Sequence, residues 1–134
     1  DEMVKNARLF GEMIGIAFQI KDDIFDYYSS DEIGKPTGND MREGKLTLPA
    51  LYVLNTFDDE EMRKLALCIR SLDASDEDIA RFIEYTKVKG GIEYARQAMV
   101  DYRNKALALL PQSAGQAVKD ALTAYIDYVI ERDK

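Results

Sequence analysis

The chain has 134 residues, of which 46% are hydrophobic and three are proline, so it is long enough to bury a core and does not have the composition of a disordered tail. Its formal net charge of -7, without a run of lysine or arginine, argues against a nucleic-acid-binding surface. Histidine is absent from the sequence and Cys68 is its single cysteine, which excludes Ser-His-Asp and Cys-His catalysis, histidine zinc sites and an intramolecular disulfide within these residues.

Apolar residues recur at helical spacing along almost the whole chain, and no alternating strand pattern interrupts them. The pattern predicts an all-α fold, with residues 1–134 forming a single helical domain. Because the chain opens with Asp1 inside a periodic segment, we expect the protein to begin further upstream.

Six helices are predicted in chain order. They are residues 2–28, a helix from about residue 46 with Pro49 in its first turn, a third helix capped by Asp58 or Asp59, residues 76–88 capped by Ser75, residues 92–110, and residues 114–132. The expected buried positions are Met62, Leu65, Ala66 and Ile69 in the third helix, and Val118, Leu122, Tyr125, Ile126 and Val129 in the sixth. Residues 29–45 are predicted to form a long irregular loop, and a loop of that length in a compact domain is usually functional.

One face of the first predicted helix carries several oxygen ligands. At 3.6 residues per turn, this face places the following side chains within an arc of about 100°: Gln19, Asp22, Asp23 and Asp26. Apolar residues cover most of the remaining circumference, so we expect this helix to be buried nearly all round. Asp22 and Asp26 repel each other one turn apart, and a divalent cation between them would remove that repulsion. The pattern favours a magnesium ion shared with phosphate oxygens and water over an ordinary solvated acidic face.

Gly11 and Gly15 continue this face towards the N-terminus, where each lowers the helix propensity. Two uses remain open for the space that they leave. A neighbouring helix can pack closely there, which is the commoner use, or the hydrocarbon part of a ligand can lie there with its charged head at the acids.

The predicted loop joins flexible glycines with two lysines and an acid. Lys35 and Lys45 could reach the oxygens of a diphosphate held on the metal, and Asp40 could orient Lys35 or a metal-bound water. The spacing is not that of a P-loop, and surface lysines are usually only solvated, so the loop alone is weak support for phosphate binding.

These segments together resemble a known family. Three segments carry the resemblance: residues 15–26, Gly34-Lys35-Pro36-Thr37-Gly38-Asn39-Asp40 and Gly44-Lys45-Leu46-Thr47-Leu48-Pro49. In this order they resemble the second aspartate-rich (DDxxD) region of trans-type polyprenyl diphosphate synthases. The segments at residues 90–95 and 128–132 are similar to the C-terminal helices of the same family, so the resemblance covers nearly the whole chain.

The resemblance implies the C-terminal helices of an isoprenoid synthase bundle around a central cavity, in an enzyme that is usually a homodimer. Such an enzyme joins isopentenyl diphosphate to an allylic diphosphate and requires magnesium. The implied metal ligands are Asp22 and Asp26, with Asp23 beside them. Gln19, Lys35 and Lys45 are implied to bind the allylic diphosphate, the two lysines acting in catalysis by stabilising the departing diphosphate.

The first aspartate-rich motif of this family, and the basic residues that bind isopentenyl diphosphate, do not occur in the sequence. We therefore expect the chain alone to be inactive in prenyl transfer. The length of the product is set largely near that first motif, so octaprenyl, farnesyl and geranylgeranyl products are not distinguished.

Two other functions are compatible with a helical chain of this kind. A non-catalytic partner subunit of a heteromeric prenyl synthase would have no evident use for the intact acids and lysines. A terpene cyclase shares the ionisation chemistry, but the Gly-Lys turn and the Thr-Leu-Pro helix start favour chain elongation.

The sequence also suggests a compartment. Cys68 lies in an apolar helical pattern and is predicted to be a buried thiol, which fits a reducing cytoplasm. No stretch reaches the ~20 apolar residues of a spanning helix, so we expect no stable membrane insertion.

Overall fold

The computed structural model of the chain describes residues 2–28, 38–110 and 115–131. These residues form α-helices and no strand, which confirms the predicted all-α fold class. In chain order the described helices are α1 (Glu2–Phe25), α2 (Asn39–Arg42), α3 (Leu48–Thr56), α4 (Glu60–Arg70), α5 (Asp76–Val88), α6 (Gly91–Ala108) and α7 (Gln116–Glu131). None of them is both long enough and apolar enough to cross a bilayer.

The helix starts follow local capping chemistry. The Asp59 side chain caps α4 by accepting from the Met62 amide at 3.1 Å. Ser75 and Asp78 form a reciprocal capping box at the start of α5, whose bounds match the prediction. Pro49 lies in the first turn of α3, where an amide hydrogen has no helical partner.

The predicted irregular loop of residues 29–45 lies outside the described residues as far as residue 37, and the prediction was wrong for residues 39–42, which form α2. A four-residue helix has little intrinsic stability, so it depends on contacts from elsewhere in the chain. The first helix is also shorter than predicted. It ends at Phe25, and the Tyr27 and Tyr28 amides donate to the carbonyls of Ile24 and Phe25 in tighter turns.

Two predictions of burial were wrong. The first helix is not buried nearly all round, because Val4 is 68% exposed while Ala17 and Ile20 are buried. In α7, Val118 and Tyr125 are 54% and 63% exposed. An amphipathic pattern shows which side of a helix can be buried, but burial also needs a neighbouring element on that side. The described residues cover only part of the apolar side of these helices.

Other core predictions hold. Leu65, Ala66 and Ile69 of α4 are buried, and so is Ile126 of α7. Ile130 of α7 is also buried but was not predicted, and the Val129 side chain lies outside the described ones. Met62 and Leu122 were predicted to be buried but are only half-buried, and so is the Cys68 thiol, which was also predicted to be buried.

Contacts divide the chain into two compact units, Asp1–Lys21 with Gln97–Lys134, and Asp22–Arg96. In the second unit α5 packs on α3 and α4, and α2 packs on α4. The core of that unit includes the fully buried side chains of Val53, Ile69, Phe82 and Ile92. In the first unit the buried side chains include Ala17, Ile20, Met99, Ala106 and Ile126. The single domain of residues 1–134 stays a prediction.

Candidate metal centre

The C-terminal end of α1 places three carboxylates in different environments. Asp22 is exposed, and its carboxylate has no hydrogen bond or ion pair within the described part of the chain. Asp23, the next residue, is only 8% exposed. Asp26 follows one turn after Asp22 and is half-buried. Asp22 is therefore the carboxylate most available to a ligand from solution.

Asp26 holds the beginning of α2. Its Oδ1 accepts from the Asn39 amide and its Oδ2 from the Asp40 amide, both at 2.9 Å. Its backbone carbonyl accepts from the Gly38 amide at 2.8 Å. A negative charge at these amides stabilises the start of the helix. Each carboxylate oxygen keeps a further lone pair, so this role leaves Asp26 able to contact a cation.

Gly38 allows the chain to turn into α2 at this point. Its φ is +76°, in the left-handed region that favours glycine. A Cβ atom here would lie 2.8 Å from Cγ2 of Ile79 and 3.0 Å from Cδ1 of Ile83. The close approach of α2 to α5 therefore requires glycine.

Lys45 joins the same turn through its backbone. Its amide donates to the Asp40 carbonyl at 2.8 Å, while its exposed Nζ pairs with Glu43 at 3.2 Å. An exposed ion pair of this kind contributes little stability, so the ammonium group is readily exchanged to another anion. The structure thus brings Asp26, Asp40 and Lys45 together.

The other two predicted diphosphate ligands are Lys35 and Gln19. Lys35 lies outside the described residues. Gln19 is exposed on α1, three residues before Asp22, and belongs to the other compact unit.

The charge around α2 is predominantly negative. Partial burial raises the pKa of Asp40, and the charges of Asp26, Glu43 and Asp22 raise it further, against the opposing effect of Lys45. Ionised Asp40 is therefore unfavourable in the folded chain. A bound cation would relieve this excess of negative charge.

We expect the Asp40→Asn variant to be more stable than the wild type at neutral pH. Because the folded-state pKa of Asp40 is raised above its unfolded value, ionised Asp40 destabilises the fold at pH values above that raised pKa. The advantage of the variant should shrink as the pH falls through the folded pKa, and vanish below the unfolded value of about 3.9. Urea unfolding from pH 7 to pH 3 measures this. An advantage that grows on acidification would contradict the assignment.

Among residues 2–28, 38–110 and 115–131, no cluster of three or more acidic or cysteine side chains could hold a metal by itself. A protein-only cage, as calcium often has, is therefore not formed by the described side chains. One or two carboxylates that leave room for phosphate oxygens and water suit magnesium. Asp22 with Asp26 fits that ligand count.

Comparison with known proteins identifies the family. The family model described as Polyprenyl synthetase matches residues 1–86. The nonaprenyl diphosphate synthase of Mycobacterium tuberculosis is 38% identical over 98% of the chain and 39% of that protein. The chain belongs to the polyprenyl synthetase family.

Solved structures agree with this assignment. The geranylgeranyl pyrophosphate synthase of Bacteroides thetaiotaomicron is 53% identical with a TM-score of 0.88, over 96% of this chain and 42% of that one. A polyprenyl synthase of Caulobacter crescentus, complexed with calcium and isoprenyl diphosphate, is 29% identical with a TM-score of 0.82, over 97% and 40%. The chain therefore spans about two fifths of the length of these relatives.

The capping role of Asp26 was missed by the sequence reasoning. Its two amide partners lie 13 and 14 residues away, so no local spacing indicates the contact. One signal for the turn was present in the sequence, because Gly38 directly precedes Asn39 and Asp40. Gly, Asn and Asp are residues that commonly form turns.

Proposed function

We propose that the chain is the C-terminal part of a trans-type polyprenyl diphosphate synthase, which condenses isopentenyl diphosphate with an allylic diphosphate. The observation that carries the proposal is the exposed Asp22 carboxylate, which has no hydrogen bond or ion pair among the described residues and lies one turn before Asp26. The hydrogen bonds of Asp26 hold the start of α2, and the Asp40 carbonyl of α2 holds the Lys45 amide. A cation on these carboxylates would meet a diphosphate whose remaining charge Lys45 can neutralise.

We assign the residue roles from these environments and from the family resemblance. Asp22 would contact magnesium directly and Asp26 through its unused lone pairs, while buried Asp23 would support them from the side. Bound magnesium supplies positive charge that stabilises the leaving diphosphate. Lys45, together with Lys35 as the resemblance implies, would neutralise the same charge, and Gln19 would donate to the allylic diphosphate. Asp40 would keep Lys45 in place through its backbone carbonyl.

The chemistry needs no protein nucleophile. Breaking the allylic C–O bond gives a carbocation and diphosphate, and the double bond of isopentenyl diphosphate attacks the cation. A proton then leaves, with the released diphosphate as its acceptor. A chain without histidine can support each of these steps with carboxylates and lysines.

The assembly and compartment belong to the same proposal. We infer a homodimer from the family resemblance, and a reducing cytoplasm from the lone Cys68 thiol. The solved relative with calcium and isoprenyl diphosphate supports a divalent cation and a diphosphate as ligands.

We expect the isolated chain to bind inorganic pyrophosphate in the presence of Mg²⁺ but to show no prenyl transfer. Titration calorimetry should detect binding that needs both components, because the metal joins the ligand to the carboxylates. The Asp22→Asn variant should weaken binding at least about tenfold, the loss of one charge-assisted contact.

The Asp73→Asn variant is the matched control, since Asp73 is an exposed acid beyond the end of α4. It should bind like the wild type. Equal affinity in the Asp22 and Asp73 variants would remove Asp22 from the site. Prenyl transfer by the isolated protein chain would contradict the prediction that it lacks part of the catalytic site, and would indicate a complete enzyme.

A further inference from the structure

Helix α7 has two apolar sides. One side packs within its own compact unit, where Ile126 and Ile130 are buried and Leu122 is half-buried. The other side is exposed and carries three alanines and three larger residues: Ala117, Val118, Ala121, Ala124, Tyr125 and Tyr128. At 3.6 residues per turn these six positions fall within an arc of about 120°, which contains no charged residue. We call this arc the outer face of α7.

The rotation of α7 is fixed by its contacts with α6. Arg103 of α6 donates from Nε to Oδ1 of Asp127 and from Nη2 to Oδ2, both at 2.8 Å. Paired contacts of this kind fix the orientation of the two side chains. Asp127 and the buried Ile126 lie roughly 120–140° around the helix from the centre of the outer face. The outer face is therefore turned away from both contacts.

The outer face has the properties of a helix-packing surface. Tyr128 is 65% exposed, and Val118 and Tyr125 are also more than half exposed. Single exposed apolar residues are common, whereas a contiguous apolar face marks a contact with another element. Tyrosine is enriched in such contacts, and alanine lets two helix axes approach closely. A helix that is apolar on two sides is typical of the core of a larger protein.

The length of the relatives indicates what covers this face. The chain spans about two fifths of the nonaprenyl and geranylgeranyl synthases that it matches, and at least 96% of the chain is matched in each. Nearly all of this chain therefore has a counterpart inside a protein more than twice its length. The lack of charge on the outer face suits an apolar protein segment, whereas a nucleic acid needs basic residues.

We propose that the outer face of α7 is the docking surface for an apolar helix of the same synthase, from the part that this chain does not span. The identity of that helix rests on the proposed function, because the chain is taken there as one part of a longer enzyme. The exposed apolar face itself does not depend on the function.

Cysteine labelling compares the outer face in two proteins. One is the 134-residue chain, and the other is a chimera in which residues 1–134 replace the matched part of the Bacteroides thetaiotaomicron synthase. All other cysteines are replaced by serine. The Tyr128→Cys variant should react with a maleimide at least about tenfold more slowly in the chimera, because a buried thiol reacts only when the helix opens. Gln116→Cys is the matched control, since Gln116 is exposed on α7 outside the outer face, and it should react alike in both proteins.

A charge placed on the outer face gives a second readout. Ala121 lies near the middle of this face, and Ala121→Glu should leave the urea unfolding of the 134-residue chain unchanged, because the new side chain stays in water. In the chimera it should lower the melting temperature by about 5 °C or more, since an unpaired charge is then buried. Gln116→Glu adds the same charge outside the face and should not lower the stability of either protein. If Ala121→Glu prevents the chimera from folding, Ala121→Ser should show a smaller loss that is again confined to the chimera.

Two results would overturn the proposal. One is equal reactivity of the Tyr128→Cys variant in the chain and in the chimera. The other is protection that is already present in the 134-residue chain, together with a dimer in analytical ultracentrifugation, which would assign the face to a second copy. Binding of pyrophosphate with Mg²⁺ tests the proposed function separately. If the chain bound no pyrophosphate but the labelling rates differed as expected, the metal site would fail and the docking surface would stand.

Discussion

Replacing Asp22 by asparagine is expected to lower prenyl-transfer kcat/KM by on the order of 10²–10³-fold, with little change in melting temperature. The exposed Asp22 carboxylate has no hydrogen bond or ion pair within the described ranges, so the fold loses nothing when its charge is removed. The transition state would lose a metal contact at the moment when the diphosphate departs. Asp22→Asn should therefore lower kcat/KM strongly and leave the melting temperature almost unchanged.

A chimeric enzyme allows this measurement. Residues 1–134 would replace the matched part of the Bacteroides thetaiotaomicron synthase, with which they are 53% identical. Once the chimera is shown to be active, Asp22→Asn and Asp73→Asn are compared in it at saturating Mg²⁺. Equal activity in the two variants would remove the metal role of Asp22, and an equal loss of stability and rate in Asp22→Asn would make its role structural.

Gly91→Ala is expected to lower the free energy of unfolding by about 3 kcal/mol. A Cβ atom at this first residue of α6 would lie 2.6 Å from Cγ2 of Thr86 and 2.8 Å from the Pro49 carbonyl oxygen. The Pro49 oxygen belongs to the backbone at the start of α3 and cannot rotate away. Helices α3, α5 and α6 would have to separate locally.

Gly15→Ala is the matched control for this prediction. A Cβ atom at Gly15 meets nothing within 4 Å among the described atoms, and the position is in the interior of α1. Alanine there should stabilise the chain by about 0.5–1 kcal/mol through helix propensity. Urea unfolding followed by circular dichroism measures both. A Gly91→Ala variant as stable as Gly15→Ala would show that the close approach of the helices is not required.

The empty space around Gly15 also concerns the role of Gly11 and Gly15, for which the sequence allowed either close helix packing or a ligand hydrocarbon. Within the described residues no helix packs closely against Gly11 or Gly15. The commoner use of such glycines is therefore not made by the described part of this chain, and the ligand hydrocarbon stays a hypothesis.

The sequence predicted best what is decided locally. The bounds of α5, its Ser75 cap and the Asp59 cap of α4 depend on residues within four positions of each other. The acidic end of α1 was predicted for the same reason, because a helical wheel needs only the sequence of one helix.

Contacts between distant segments were not predictable in this way. α2 begins where the Asp26 carboxylate accepts amides from 13 and 14 residues away. Tyr27 and Thr47, which are also distant in the chain, line one crevice. The exposure of Val118 and Tyr125 likewise depends on which neighbours α7 has, and periodicity does not contain that information.

We propose above all that a divalent cation binds at Asp22 together with a diphosphate. Paramagnetic broadening of the amide resonances by Mn²⁺ with pyrophosphate locates such a site in the chain. We expect the broadening to centre on residues 22–26 and 40–45 and to disappear in Asp22→Asn. Broadening that centres instead on the acidic first turn of α5, at Asp76, Glu77 and Asp78, would contradict it.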